Sequence, residues 1–508
     1  MATKILSATY AQFNGILIDV EVHITKGLPS FSIVGLPDTS VKEAKERVRS
    51  AIINSGYEFP LGRITINLAP ADVKKIGSLL DLPIAIGILM ETNQIAKKDL
   101  QEFVIFGELS LCGDIKKVNG TIAIMLEGMN QNKKNYIFPY ENIGECKYYN
   151  KANNYPFSNL KEVISFINYE DVLPFDMDEI NLKEEKNFTD FSSIIGQDNS
   201  KRAMEIAAAG KHNLMVYGST GVGKTMLARA LPSILPDLSE EEELEIAKIY
   251  SISGLLDKNK KITRPFRAPH HTITISAMVG GGRIAKAGEV TLANKGVLFL
   301  DEVLEYKREV LEALREPLEE GEVHINRLQG SCILKADFIL YMAMNMCPCG
   351  KSNLEDEYNS DCTCSEAEKR RYLNRLSKAL MDRIDIFNYI PRIKYEELNK
   401  NNSEYTSKKM KERVLKARER QKERLKGTKY IYNSQIRGKD IFELCKVSKG
   451  VNDILEYYFN NSHPSLRSYG KVITLARTIA DLGEKKDIEE SDVFEAIGYR
   501  KNFKGEII

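Results

Sequence analysis

Eight consecutive residues, Gly218-Ser219-Thr220-Gly221-Val222-Gly223-Lys224-Thr225, have the spacing G-x4-G-K-T. Glycines so spaced let backbone N–H groups turn inward around a phosphate chain, while the lysine reaches the β- and γ-phosphates and the hydroxyl meets Mg²⁺. The apolar segment 213–217 precedes the loop and a good helix start, 226–231, follows it. That is the strand–loop–helix context the pattern needs, and the helix N-terminus adds partial positive charge. Downstream, Gly296-Val297-Leu298-Phe299-Leu300-Asp301-Glu302 is an apolar run ending in two carboxylates. Such a run reads as a strand buried on both faces of a parallel sheet. Asp301 is placed to hold a Mg²⁺ shell, and Glu302 to orient or deprotonate an attacking water. A plain glycine turn and a pair of helix-capping acids are the simpler readings, and each loses ground because the other motif is present.

A third strand, 338–344, ends at Asn345, whose amide suits a lytic water held between strand tips, although asparagine also opens ordinary turns. Arg383 follows a helix and precedes another apolar strand. A guanidinium there can stabilise charge on a γ-phosphate, in cis or from a neighbouring subunit; the alternative is an ion pair with Asp382 or Asp385. Cys347 and Cys349 are separated from Cys362 and Cys364 by twelve residues that are mostly polar and acidic. Four thiolates can close a tetrahedral Zn²⁺ site with no open position, which excludes catalysis there. C-x-C is tighter than the usual zinc spacing, and reduced thiols are the other reading. His270 and His271 have no carboxylate or cysteine nearby in sequence and read as structural.

These residues need a scaffold of several domains. The chain has 508 residues, 43% apolar and 28% charged, with a net charge of +1. That is a globular composition with no global field toward nucleic acid or membrane, so nucleic-acid contact must come from local patches. No apolar run is long enough to span a membrane, and the first residues lack a signal-peptide core; the expectation is a cytoplasmic protein. Ile16, Ile18, Val20, Val22 and Ile24 alternate with polar residues as in a half-buried strand. Ile64, Ile66 and Leu68 mark another. Ser40 with Glu43 fits a capping box for a helix carrying Val41, Ala44, Val48 and Ile52, and 82–90 reads as a helix with Pro83 in its first turn. The last ~110 residues are helical in pattern. Residues 407–426 carry ten Lys/Arg against three Glu over a thin stripe of Met410, Val414, Ala417, Gln421 and Leu425. That segment is either a solvated helix or a ridge facing DNA or another subunit.

With these residues in view, 266–272 (FRAPHHT), 280–282 (GGG), 288–290 (GEV), the strand to Asp301-Glu302 and 347–350 (CPCG) resemble the magnesium-chelatase-like branch of the AAA+ ATPases. Over its whole length the chain resembles the bacterial ComM/YifB family. The resemblance implies an α/β multi-domain protein: a Lon-protease-like domain at 1–170, a linker at 171–190, an AAA+ module at 191–395 and a C-terminal helical lid at 396–508. It implies a homo-hexamer with ATP and Mg²⁺ bound between subunits, Asn345 as sensor-1, Arg383 as arginine finger and Arg467 as sensor-2. Leu466 stands where relatives usually carry a small residue before the sensor arginine. The implied activity is ATP-driven, helicase-like branch migration on single-stranded or branched DNA during natural transformation, with recombination proteins as further partners. A protein-remodelling or metal-chelatase-type ATPase subunit without DNA activity is the alternative.

The Lon-like segment is expected to be non-proteolytic. The nucleophile position falls near Leu79 rather than Ser78, and the general-base lysine position near Ile122, with Lys116 and Lys117 too early. Two loops suit a central channel: 277–288, with Arg283 and Lys286, and the hairpin-like 321–334. Packing between subunits is the plainer role for both.

Overall fold

The computed structural model describes residues 2–502 except 76, 150, 170, 171, 178, 179, 181, 184–187, 258, 283–285, 328, 329, 353–361, 394, 396–403 and 448. The chain forms two compact units: 1–185 with 239–262 and 326–332, and 186–238 with 263–325 and 333–508.

In the first unit, β1 (Thr3–Ala11), β2 (Asn14–Thr25), β3 (Ser30–Val34), helix α1 (Thr39–Asn54) and β4 (Arg63–Ala69) build a sheet ordered β1-β2-β4-β3. β2 is antiparallel to both neighbours, and its alternation does what the pattern predicts: Ile18, Val20 and Val22 are fully buried. Val20 faces Ile5 on one side and Leu68 on the other, both fully buried. The helix predicted after Ser40 starts two residues earlier. Asp38, not Ser40, caps it, accepting from the Val41 N–H at 2.9 Å; both residue types cap helices, and the earlier one won. Val41, Ala44, Val48 and Ile52 are its buried stripe.

Helix α2 (Asp81–Glu91) is buried along nearly its whole length. Burial pushes the Asp81 carboxyl up to about 6, against the Arg47 guanidinium at 2.6 Å that lowers it. Strand β5 (Phe103–Ile105), helix α3 (Thr121–Asn130), strands β6 (Asn135–Pro139) and β7 (Asn153–Phe157), and helix α4 (Leu160–Tyr169) complete the unit, with β5, β6 and β7 parallel. Helix Glu240–Ser253, which by sequence interrupts the span 191–395, packs with this first unit. Lys248 reaches Asn14 at 2.8 Å, Ser251 donates to Glu145 at 2.5 Å, and Lys117 donates to the Leu256 carbonyl at 3.2 Å.

In the second unit, α5 (Asp198–Gly210), β8 (Leu214–Tyr217), α6 (Lys224–Ala230), β9 (Phe266–Arg267), β10 (Val297–Leu300), β11 (Ile339–Met344) and β12 (Ile386–Tyr389) build a parallel sheet ordered β9-β10-β11-β8-β12. Strands β8, β10 and β11 are buried at every position, as continuous apolar runs predict. Helices α7 (Ser407–Arg424), α8 (Lys449–Ser462), α9 (Leu466–Leu482) and α10 (Glu490–Gly498) follow, and their apolar faces share one core with the sheet.

The five stripe residues of the basic segment are all buried. Its cations are largely committed within the chain. Arg413 pairs with Glu205 at 2.5 Å, Arg424 with Asp481 at 2.6 Å, and Lys411 with Asp237 at 2.6 Å. Lys416 and Arg420 share Glu484, and Arg418 donates to the Ala208 carbonyl. Six of its ten cations are thus bonded within the chain.

Candidate nucleotide site

Strand β8 ends at Tyr217, and the chain turns through residues 218–223 into α6. Gly223 closes the turn at φ +93°, a conformation that favours glycine. Lys224, the first residue of α6, is only 8% exposed. Its ammonium donates to the carbonyls of Gly218 (3.0 Å) and Ser219 (2.9 Å) and to Oδ1 of Asn345 (2.9 Å). Three N–H groups thus meet three acceptors. Burial pulls this ammonium down to about 8, although Asp301 and Glu302 favour its charge.

Next in the helix, Thr225 donates its hydroxyl to Oδ2 of Asp301 at 2.9 Å. The other oxygen of Asp301 accepts the Glu302 N–H at 2.9 Å, and the backbone of Glu302 is left-handed (φ +48°). A non-glycine residue in that region marks a backbone held by its surroundings at some cost. The Glu302 side chain is exposed. Tyr341, on β11, donates to the Lys224 carbonyl at 3.2 Å and ties the first turn of α6 to the sheet. Adjacent strands β10, β11 and β8 thus carry Asp301-Glu302, Asn345 and the glycine loop to one edge. Hard oxygens of Thr225 and Asp301 side by side fit Mg²⁺.

Arg383 and Arg467 are brought together elsewhere in the unit. Arg383 is 8% exposed; it holds Oε2 of Glu319 at 2.6 Å and donates to the carbonyls of Ala379 (2.6 Å) and Arg315 (3.2 Å). Arg467 holds the other oxygen of the same carboxylate. Burial works against the charge on Glu319, yet Arg467 and Arg383 keep its carboxyl below the usual glutamate range. Neither of the pairings with Asp382 or Asp385 expected as the plain reading of Arg383 forms. Leu466, beside Arg467, is 80% exposed.

Sequence reasoning missed Glu319, which looks like one more surface acid in Arg315–Glu320. It also missed Arg392, whose Nε donates to the hydroxyl of Ser219 at 3.2 Å. Neither carries a local signal, because each gains its meaning from partners more than 60 residues away in sequence. Gly350, which accepts the Thr220 N–H at 2.9 Å, is a third.

The four cysteines converge, with their sulfurs all within 4.8 Å of one another. Among the described residues they are the metal-competent cluster found, and His270 and His271 lie against each other with Thr272 as a hydrogen-bond partner. The loop at 277–288 contains a short antiparallel pair, Gly280–Gly281 with Lys286–Ala287; Arg283 lies outside the described residues. Strands Glu322–Arg327 and Gly330–Lys335 form the expected two-stranded element, and residues 328 and 329 also lie outside.

In the first unit, Leu79 and Ile122 are buried apolar residues. Ser78 donates to Glu108, Lys116 pairs with Asp114 at 3.2 Å, and Lys117 is taken by Leu256. The described contacts join Ser78 to an acid, not to a lysine.

A phosphate-binding loop on an inner strand of five parallel strands, with an asparagine on the adjacent strand tip and paired acids on the tip of the strand beyond it, defines a P-loop module of the magnesium-chelatase type. Residues 190–398 match the family described as magnesium chelatase, subunit ChlI; residues 20–142 match subunit ChlI of Mg-chelatase and 404–500 its C-terminal part. The chain is 40% identical over 492 residues to the competence protein ComM of Haemophilus influenzae, covering 95% of this chain and 94% of that one. It is 41% identical over 487 residues to YifB of Escherichia coli (95% and 94%), and 34% identical over 501 residues to Rv2897c of Mycobacterium tuberculosis (98% of each). The chain belongs to the ComM/YifB family of magnesium-chelatase-like proteins. No described helix is long and apolar enough to cross a membrane.

Proposed function

We propose that this chain is a Mg²⁺-dependent ATPase that works as a homo-hexameric motor on single-stranded or branched DNA, promoting branch migration during natural transformation in the cytoplasm. The observation that carries the ATPase part is the convergence of Lys224, Thr225, Asp301 and Asn345 on one edge of the sheet. In this reading Gly218 to Thr225 wrap the phosphates, and Thr225 with Asp301 hold Mg²⁺. When bound, that ion neutralises phosphate charge. Glu302 orients the attacking water, and Asn345 fixes its position from the next strand tip.

Arg383 and Arg467 act on the nucleotide of a neighbouring protomer. Their joint attachment to Glu319, with no described contact to residues 218–225, supports a role in trans. Residues 1–170 serve as a non-proteolytic Lon-like domain in assembly or strand contact, and residues 396–508 serve as the lid. The DNA and transformation part rests on the likeness to a protein named for competence.

The test is ATP turnover by wild type and Lys224→Ala, with and without single-stranded and forked DNA, across a salt series. Expected is turnover that DNA raises, that salt diminishes and that Lys224→Ala abolishes. Wild-type turnover indifferent to every DNA at every salt would leave a chelatase-type or protein-remodelling ATPase, with recombination proteins no longer expected as partners.

A further inference from the structure

The cysteine cluster lies two residues beyond Asn345, and its first turn touches the phosphate loop. The Sγ atoms of Cys347 and Cys349 are 3.2 Å apart, and Cys362 lies 3.5 Å from each. All four sulfurs fall within 4.8 Å. A tetrahedral zinc with Zn–S bonds of ~2.3 Å sets its sulfurs about 3.8 Å apart. A disulfide needs ~2.05 Å. The cysteines are thus spaced for a shared ion rather than for pairing. The Ser352 N–H points at Sγ of Cys347 at 3.3 Å, the amide-to-sulfur bond that supports a metal-bound thiolate. Cys347 is buried while Cys349 is exposed, so an ion has both a fixed anchor and a way in.

The turn 347–350 is closed by the Gly350 N–H donating to the Cys347 carbonyl at 3.0 Å. The Gly350 carbonyl then accepts from the Thr220 backbone N–H at 2.9 Å and from its hydroxyl at 3.3 Å. Gly350 has φ +75°, and a Cβ there would collide with the Thr220 hydroxyl. The turn therefore presses directly on the middle of the phosphate loop, with Asn345 at its other end.

We propose that Cys347, Cys349, Cys362 and Cys364 bind one structural Zn²⁺ that clamps the 347–350 turn and thereby holds both Thr220 and Asn345 in place for nucleotide. Binding releases the thiol protons to solvent and leaves the ion four-coordinate, with no open position. The metal arm of this proposal is independent of the ATPase reading. The nucleotide arm rests on it.

The experiment uses the full chain purified without chelator. Metal content is measured by plasma mass spectrometry, and Co²⁺ is added to metal-stripped protein to read its tetrahedral thiolate spectrum. A fluorescent ATP analogue reports nucleotide affinity. Wild type should hold about one Zn²⁺ per chain. Cys349→Ser and Cys364→Ser should lose it, and their affinity for the analogue should drop. Gly350→Ala leaves the thiols untouched. It should keep the zinc yet weaken the analogue about 2- to 10-fold, the value of one or two hydrogen bonds. A wild-type chain with no zinc and no cobalt spectrum overturns the site. Zinc held by wild type and lost from Cys349→Ser, with analogue affinity unchanged in both Cys349→Ser and Gly350→Ala, overturns the clamp. Zinc bound by a wild type that takes up no analogue at all overturns the nucleotide arm and the ATPase reading, and leaves the metal site standing.

Discussion

Lys224 donates to Oδ1 of Asn345 at 2.9 Å, so the lysine of the phosphate loop and the tip of the neighbouring strand are bonded to each other. A γ-phosphate competes for that ammonium and frees the amide for a water. Loss of the amide should therefore be felt in turnover rather than in binding. Asn345→Ala is expected to lower kcat about 10- to 100-fold, with ATP affinity within about threefold of wild type. Lys224→Ala should abolish both. Steady-state kinetics alongside nucleotide titration separates the two, and an Asn345→Ala effect confined to KM would contradict the assignment.

Burial brings the Lys224 ammonium down to about 8. Phosphate binds the ammonium and not the amine, so affinity should be flat below that value and fall as pH rises through it. The slope approaches tenfold per pH unit once the lysine is mostly neutral. Lys224→Arg keeps its charge throughout this range, so its weaker binding should show no such inflection. Titrating a fluorescent ATP analogue from pH 6.5 to pH 9.5, a window chosen around the value of about 8, makes the comparison. A wild-type profile with no bend above pH 8 removes the lysine as its cause.

Much of this site is legible in sequence because its parts are local. Gly218 to Thr225, Asp301-Glu302 and Asn345 each sit at the end of an apolar run, and a run buried on both faces can only be an inner strand of a parallel sheet. Glu319, Arg392 and Gly350 are not legible in the same way. Their roles are set by contacts across the fold, and nothing in their own neighbourhoods distinguishes them from surface charges or a turn glycine. The basic segment 407–426 is only partly legible: its charge count leaves a solvated helix and a DNA- or subunit-facing ridge both open, and nothing in it announces Glu205, Asp237, Asp481 and Glu484, the acids distant in sequence that pair with five of its ten cations. The excursion of helix Glu240–Ser253 is likewise invisible, because its capping and periodicity are those of any amphipathic helix.

Below the sheet, Asp385 is a buried hub. It pairs with Lys471 at 2.7 Å, lies 3.7 Å from His212 and accepts the Asn213 N–H at 2.8 Å, so it fixes the start of β8. Burial raises its carboxyl, but Lys471 and His212 outweigh it and hold it far below the usual range. Burial in turn pulls Lys471 down to about 8. Asp385→Asn strands a buried cation and should cost about 3–5 kcal/mol in urea unfolding. Asp385→Asn with Lys471→Met should recover a large part of that. Because the folded carboxyl is depressed, the stability it contributes is present above its unfolded value of about 3.9 and is lost as pH falls below it. The gap between wild type and Asp385→Asn should therefore narrow in acid. A constant gap from pH 7 to about pH 2 would show that the carboxylate charge is not what matters.

Glu319 binds two guanidiniums that the proposed mechanism needs elsewhere, and this sets up a measurable conflict. With Arg383 almost fully buried and also bonded to two carbonyls, the Arg383–Glu319 pair should show a coupling of about 1–3 kcal/mol in a double-mutant cycle of stability. Arg467, which is 40% exposed, should couple more weakly. Removing the acid frees both arginines from their shared anchor. If they complete a neighbour's site, mixed assemblies carry the decisive readout. Lys224→Ala chains and Arg383→Ala chains, each inactive alone, should regain turnover when mixed. Each seam then pairs an intact loop with an intact arginine in a fraction of cases, and the fraction follows the mixing ratio. Glu319→Gln in the Lys224→Ala partner should alter that recovered rate, since the donated arginines come from that chain. The same change in the Arg383→Ala partner should leave it unaltered. Recovery that ignores which chain carries Glu319→Gln would mean the acid serves only its own fold. No recovery from chains shown to co-assemble would mean that each protomer hydrolyses with its own residues alone.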